Sequence, residues 1–259
     1  MGNNEDFYIG WLDRMPKSNR KAIRNLLICL FLLTPFFTLT MVVFQKPFNN
    51  YHFELGHQRE FRGIYQAKPV PMLEVSSPFG NKNLLLVGYG KFGAGGIISS
   101  AEQKFGQLDG KTITFKGTLI SGDKELLELT DKVNSIIAVS DSLSLSSAMV
   151  SSEKEVTLVG EILDPKCYFG VMKPGEGKIH RSCAIRCISG GIPPVLRVLS
   201  NSDSAYYSYY IVLGKDGQAI NKSILPFVGE SVRLRGTVTQ HLDWFVLYRR
   251  QIESVANSK

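Results

Sequence analysis

The chain of 259 residues contains 44% hydrophobic and 20% charged residues, which leaves room for one large domain or two small ones. This composition excludes an intrinsically disordered chain, a collagen-like chain and a polytopic membrane protein. The 30 Lys and Arg residues outnumber the 23 Asp and Glu residues, so the net charge is +7. Such a charge suits nucleic acid, an anionic lipid surface or an acidic protein, and its sign alone does not choose between them.

One apolar segment without a charged residue, residues 26–44, lies near the N-terminus. At about 1.5 Å per residue it just spans a hydrocarbon core of roughly 30 Å, which predicts one transmembrane helix with a kink at Pro35. A signal peptide is the alternative, but its apolar core is usually about 7–15 residues long and precedes small residues at a cleavage site. Here Gln, Lys, Pro and Phe follow, which favours an uncleaved anchor.

Basic residues flank this helix mainly on its N-terminal side, at Arg14, Lys17, Arg20, Lys21 and Arg24. Because Lys and Arg hold flanking segments in the cytoplasm, residues 1–25 are predicted to form a cytoplasmic tail of a bacterial inner-membrane protein whose bulk is periplasmic. This placement excludes nucleic acid as a partner and permits disulfides. The apolar side chains of residues 6–12 favour contact of the tail with a partner surface or the bilayer.

The remaining chain carries short apolar or alternating runs separated by Gly, Pro and Asp, which indicates a mainly β fold. The same order of five predicted strands occurs twice: residues 61–65, 70–75, 84–90, 109–117 and 126–129, and then 156–164, 193–198, 209–213, 228–236 and 244–248. The first predicted strand of each half contains an internal glycine. This is expected where a strand coils around a small barrel. We therefore predict two tandem OB-like five-stranded barrels, with a single mixed β-sandwich as the alternative.

These patterns give predicted boundaries for the whole chain. The tail (1–25) and transmembrane helix (26–44) precede a tether (45–59), a first OB-like module (60–138), a Ser-rich linker (139–154) and a second OB-like module (155–259). The second module differs from the first by a long excursion, residues 161–192, between its first two strands. We call this excursion the Cys/His loop; loops of this length are usually functional or disordered.

The Cys/His loop contains every cysteine outside the apolar segment. A short helix ending before the two glycines at 190 and 191 places His180, Cys183 and Cys187 on one face, at i, i+3 and i+7. Cys167, after the first strand, is the natural fourth group. A set of three cysteines and one histidine suits one zinc or copper ion, and Met172 adds a thioether if the ion is copper.

Two other interpretations of these cysteines stay open. A disulfide from Cys167 to Cys183 or Cys187 would fasten the loop and leave one thiol over. A redox-active thiol pair is the second alternative. The motif G-x-G-x-x-G at residues 88–93 is interpreted as a mobile strand-end loop, because no crossover helix is expected after it and a β surrounding contradicts a dinucleotide fold.

The motif Gly-Glu-Ile-x-Asp-x-x-Cys-Tyr, followed by His-x-x-Cys-Ala-x-x-Cys and Gly-Gly-x-Pro, occupies residues 160–193. It resembles a group of uncharacterised bacterial periplasmic proteins that are predicted to be OB-like. The resemblance covers roughly residues 156–255 and not the first module. It implies a periplasmic location and a joint role for Cys167, His180, Cys183 and Cys187.

These features predict a non-catalytic accessory subunit or assembly factor of a membrane electron-transfer complex. Its predicted partners are the lipid bilayer and integral membrane proteins, contacted through the tail and the transmembrane helix. A stand-alone periplasmic metal-handling or thiol-redox protein is one alternative. The other is a carbohydrate-binding module that uses the four tyrosines between Tyr206 and Tyr210, since aromatic rings on a barrel strand can stack on sugars.

Overall fold

The computed structural model describes residues 15–45, 50–130, 135–143, 153–199 and 206–255. The chain divides into two units, Met1–Asn49 and Asn50–Lys259. The first contains one helix and the second contains all the strands. The apolar residues 6–12 of the predicted tail and most of the predicted Ser-rich linker lie outside the described residues.

Helix α1 spans Lys17–Phe44 and continues through Pro35. The hydroxyls of Thr34 and Thr38 each donate to the carbonyl four residues earlier, at 2.7 and 2.8 Å. Within α1, the stretch Asn19–Phe44 contains an 18-residue window with a mean hydropathy of 2.5 and is long and apolar enough to cross a membrane, as an anchor or as a signal sequence. α1 begins before residue 26 because the preceding Lys, Arg and Ala residues favour helix without adding to the apolar pattern.

The second unit contains two closed five-stranded barrels, so the prediction of two five-stranded units is confirmed. The strands of the first barrel are β2 (Arg59–Gln66), β3 (Met72–Val75), β4 (Lys82–Val87), β5 (Lys111–Ser121) and β6 (Glu125–Leu129), with β1 (His52–Phe53) and β7 (Ile136–Leu143) paired to β5. The strands of the second are β8 (Lys154–Leu163), β9 (Val195–Leu199), β10 (Tyr207–Gly214), β11 (Ser231–His241) and β12 (Trp244–Ser254).

Both barrels have the same strand order. In each, the first strand pairs with the second and the fourth, the second with the third, and the fourth with the fifth, all antiparallel. The third and fifth strands pair in parallel and close the barrel. In the first barrel β1 lies within the predicted tether and β7 extends into the predicted linker, because polar Ser-rich sequence can still pair along an available strand.

A helix follows the third strand in each barrel. Helix α2 (Gly95–Phe105) precedes β5, and helix α4 (Asn221–Ile224) with a 3₁₀ turn at Leu225–Phe227 precedes β11. A helix thus follows the glycines at 88–93, but it joins two antiparallel strands that do not pair with each other, so it is not the crossover helix of a dinucleotide fold. α2 begins with two glycines of low helix propensity, which masked the apolar spacing of Ile97, Ile98 and Ala101 that packs it on the barrel.

Alternation along the strands divides the apolar residues between three clusters. On β4, Leu84 and Leu86 belong to the core of the first barrel, whereas Leu85 and Val87 belong to a cluster shared by both barrels. The shared cluster draws on the second, third and fifth strands of both barrels: Met72, Leu85, Val87, Leu126, Val195, Ile211, Leu213, Trp244 and Val246. We call this contact surface the seam. The barrels thus pack through corresponding strands and form one body.

Candidate metal centre

The Cys/His loop packs at the seam. It leaves β8 at Leu163 and enters a buried π-helical turn, Cys167–Val171, before helix α3 (Gly177–Ser189). π-helical turns are rare and occur frequently at functional sites. At the end of α3, the amide of Gly190 donates to the carbonyl of Arg186, and Gly191 has a left-handed φ of 101° that only glycine adopts freely.

The structure brings the three cysteines of the loop together. The Sγ atom of Cys167 lies 4.0 Å from that of Cys183 and 3.9 Å from that of Cys187, and all three are free thiols. A disulfide requires a sulfur–sulfur distance of about 2.05 Å. A tetrahedral zinc ion with zinc–sulfur bonds of about 2.3 Å separates its sulfur ligands by about 3.8 Å. The observed spacing therefore matches two edges of a metal tetrahedron rather than a disulfide.

His180 lies one turn before Cys183 on α3 and faces the same cluster. One of its ring nitrogens and the Sγ atoms of Cys167 and Cys183 lie within 4.8 Å of one another. The imidazole is 5% exposed, and its Nε2 has no hydrogen-bond partner among the described residues. Burial lowers the pKa of His180, so the ring is neutral at neutral pH, which is the form that binds a metal.

Cys167 is buried on the π-helical turn, and its sulfur contacts the sulfurs of both Cys183 and Cys187. Its contact with Cys187, together with burial, raises the pKa of the Cys167 thiol. Without a cation this thiol therefore keeps its proton. A bound metal ion supplies the positive charge that displaces it, so metal binding and loss of the thiol proton are coupled.

The sequence analysis missed Asp164. A carboxylate oxygen of Asp164 and the Sγ atoms of Cys167 and Cys187 lie within 4.8 Å of one another. This residue directly follows β8 and precedes a proline. A turn was therefore sufficient to explain an aspartate at this position without a role as a ligand. Met172, the predicted thioether ligand for copper, directly follows the π-helical turn, and its side chain is 42% exposed.

The sequence analysis also missed Lys91, which belongs to the first barrel. Its Nζ donates a hydrogen bond of 3.0 Å to Cys183 Sγ, and this bond raises the pKa of Lys91. Charged donors to a ligand sulfur stabilise its thiolate form. The two residues are 92 positions apart in different modules, so no local spacing in the sequence connects them.

Lys91 is positioned by residues 88–93, which we call the glycine loop. The amide of Gly93 donates to the carbonyl of Gly190 at 3.0 Å. A Cβ atom on Gly190 would lie 1.9 Å from the carbonyl oxygen of Lys91, so only glycine permits this approach. The glycine loop therefore packs against the end of α3 and is not a free strand-end loop.

A buried ion pair holds the start of the glycine loop. Lys166, beside Cys167, donates from Nζ to the carbonyl oxygens of Gly88 and Gly90 at 2.8 and 2.6 Å. The same Nζ lies 2.5 Å from Glu128 Oε1, and both side chains are almost fully buried. Removing either partner would leave a buried charge unpaired. The Cys/His loop and the first barrel are thus joined next to the cysteines.

The four tyrosines in the range Tyr206–Tyr210 do not share one open face. Tyr209 is 1% exposed at the seam, and its hydroxyl donates to Asp123 Oδ2 at 2.7 Å. Tyr210 stacks on Phe245 with 5.3 Å between ring centroids. Two of the four rings that the carbohydrate-binding hypothesis requires are therefore used in packing, whereas Tyr206 and Tyr207 are exposed.

No protein-family model matches the sequence, and a comparison with curated proteins gives no match. The functional argument therefore depends on the residues and geometry of this chain. The resemblance to periplasmic OB-like proteins stays a prediction.

Proposed function

We propose that this chain is a single-pass membrane protein whose periplasmic part binds zinc through Cys167, His180, Cys183 and Cys187. The observation that carries the proposal is that the sulfur of Cys167 lies about 4 Å from those of Cys183 and Cys187, while the unpartnered imidazole of His180 lies within 4.8 Å of the Cys167 and Cys183 sulfurs. Isolated buried polar groups are rare in folded proteins, and a metal ion satisfies these donors together.

Zinc fits these donors better than copper. Sulfur and nitrogen ligands suit both ions, but the carboxylate of Asp164 lies among them, and carboxylates are poor ligands for copper(I). The thioether of Met172, which would favour copper, belongs to a side chain that is 42% exposed, unlike the buried Cys167 and Cys187. Zinc accepts thiolate, imidazole and carboxylate in one site.

The strand order supports assigning both barrels to the OB-like class. Each is a closed barrel of five strands with parallel third and fifth strands, and a helix connects the third strand to the fourth. OB-like barrels are small five-stranded barrels of this kind that serve as scaffolds for binding loops. The Cys/His loop is the binding loop of the second barrel in this interpretation.

The membrane helix supports an accessory role within a larger complex. The side chains of α1 are exposed along almost its whole length, so they are free to contact lipid or neighbouring transmembrane helices. We therefore propose an accessory subunit or assembly factor of a membrane complex, and retain electron transfer as the predicted class of that complex.

Metal analysis of the full-length chain in detergent tests the zinc proposal. We expect zinc to co-purify with the wild type, the variant Cys167→Ser to lose it, and the variant His180→Ala to bind less of it than the wild type. Cys29→Ser is the matched control, because Cys29 lies in α1 and its loss leaves zinc bound. A metal-free wild type whose mass shows a disulfide between two of the loop cysteines would contradict the proposal.

Affinity isolation from native membranes tests the accessory role. Stoichiometric co-isolation of integral membrane proteins with the chain supports it. A monodisperse lone protein that retains zinc contradicts the accessory role and supports the stand-alone metal-handling alternative.

A further inference from the structure

We infer that the Cys/His loop holds two zinc ions bridged by the thiolate of Cys167, with Asp164 as a ligand of the second ion. This inference rests on the proposed zinc-binding function and extends it. The first ion is bound by Cys167, His180 and Cys183. The second is bound by Cys167, Cys187 and Asp164.

The donor atoms of the described residues fall into two groups of three rather than one group of four. His180 and Cys183 form a group with Cys167, and Asp164 and Cys187 form another group with Cys167. The members of each group lie within 4.8 Å of one another. Cys167 belongs to both groups, and its sulfur is nearly equidistant from the other two sulfurs. This is the arrangement that a bridging ligand requires.

Each group contains one buried polar atom without a partner among the described residues. These atoms are Nε2 of His180 in the first group and Oδ2 of Asp164 in the second. Only four such side-chain atoms occur in the described part of the chain, so two of the four lie at this centre. A single ion in the first group would satisfy Nε2 of His180 and leave Oδ2 of Asp164 without a partner.

Asp164 has a particular need for a cation. The side chain is fully buried, and Oδ1 accepts a hydrogen bond of 3.0 Å from the backbone amide of Lys166. The ammonium of Lys166 is directed elsewhere, to Glu128 and to carbonyls of the glycine loop. A buried carboxylate without a counter-charge is costly, and a zinc ion beside Oδ2 removes that cost.

The chemistry of the proposed centre balances without any redox step. The three thiols lose their protons to solvent as two Zn²⁺ ions bind, and the sulfur of Cys167 uses two of its lone pairs for two zinc–sulfur bonds. Each ion has three protein ligands, and water fills the fourth position. Lys91 offsets part of the negative charge through its bond to Cys183.

Zinc stoichiometry of the full-length protein tests the inference. The protein is purified in detergent, loaded with zinc and dialysed against metal-free buffer, and zinc and protein are measured together. We expect two ions per chain in the wild type and one in Asp164→Asn. Asp216→Asn, an exposed control, should retain two.

The outcomes separate the two proposals. One ion per wild-type chain would overturn the bridged centre and leave the zinc-binding function standing, whereas none would overturn both. Two ions in Asp164→Asn would also overturn the inference, because Asp164 would then be no ligand. Titration with cobalt(II) gives a second measurement on the wild type. If Cys167 bridges the two ions, binding of the second equivalent should reduce the electron paramagnetic resonance signal of the first through magnetic coupling. Simple addition of the two signals would argue against a bridge.

Discussion

At the scale of single residues, the centre depends on groups outside the predicted ligand set. Lys91 extends from the first barrel to the sulfur of Cys183, and Asp164 lies beside Cys167 and Cys187. Three of the predicted ligands were accessible to sequence reasoning because His180, Cys183 and Cys187 share a helical spacing, and Cys167 because it follows the first strand of the same module. Lys91 and Asp164 were not, because a charged residue acquires a role at a metal only from neighbours that the fold brings to it.

Replacing Lys91 with Met should weaken zinc binding by about tenfold, which is typical of losing a hydrogen bond to a metal ligand. Met keeps the length of the side chain and removes the charge that stabilises the Cys183 thiolate. Competition with a chromophoric chelator measures the affinity. Lys104→Met, on α2, is the control and should bind as the wild type does, whereas equal affinity for both variants would show that Lys91 does not act on the centre.

Phe169 is the residue of the π-helical turn that fills the seam. It is fully buried, and its ring contacts those of Tyr209 and Trp244 with centroids 4.9 and 6.3 Å away. Phe169→Ala should lower the free energy of unfolding by about 3–5 kcal/mol, because it removes apolar contacts and leaves a cavity. Chemical denaturation measures the loss. Phe79→Ala, at a fully exposed position, should change it little, and equal effects of the two substitutions would refute the packing role.

At the scale of elements, alternation of apolar residues predicted the ten barrel strands well, because each strand has one face toward a barrel core. The position of the Cys/His loop followed from comparing the two halves. Helix α2 was missed because it begins with glycines, and β7 because its apolar start runs into the polar residues Ser140, Asp141 and Ser142 of the predicted linker. The packing of the glycine loop on α3 was also beyond sequence reasoning. It depends on a tertiary contact of Lys91 and Gly93 with the glycines at 190 and 191.

Gly93→Ala should separate the glycine loop from α3. Its Cβ atom would lie 2.2 Å from the carbonyl oxygen of Gly191, a distance that the two backbones must increase. Lys91 then loses its position, so we expect weaker zinc binding and faster alkylation of Cys183 in the metal-free protein. Gly95→Ala is the matched control, because nothing lies within 4 Å of its added Cβ atom. Alkylation at wild-type rate in Gly93→Ala would count against a covering role for the loop.

At the scale of the whole molecule, the two barrels are joined through corresponding strands, and the proposed metal centre lies where both contribute residues. The second barrel supplies the ligands and the first supplies Lys91. The seam also receives polar contacts, including the indole of Trp244, which donates to the carbonyl of Asn83 at 3.0 Å. Metal binding and barrel association are therefore expected to stabilise one another.

Zinc removal should accordingly lower the thermal stability of the β-rich unit as a whole. Because zinc binds the folded state, a strong chelator removes a stabilising ligand and lowers the unfolding temperature. Scanning calorimetry of the full-length protein with and without chelator measures the shift. The variant Cys167→Ser, which has no site to empty, should show no shift, and an equal shift in both proteins would indicate that the chelator acts elsewhere.

X-ray absorption spectroscopy at the zinc edge of the full-length wild-type protein tests the central claim most directly, since it identifies the atoms bound to the metal. We predict a mixed shell with sulfur at about 2.3 Å and nitrogen or oxygen at about 2.0 Å, lost in Cys167→Ser. A shell made only of nitrogen and oxygen would contradict a cysteine-bound zinc centre.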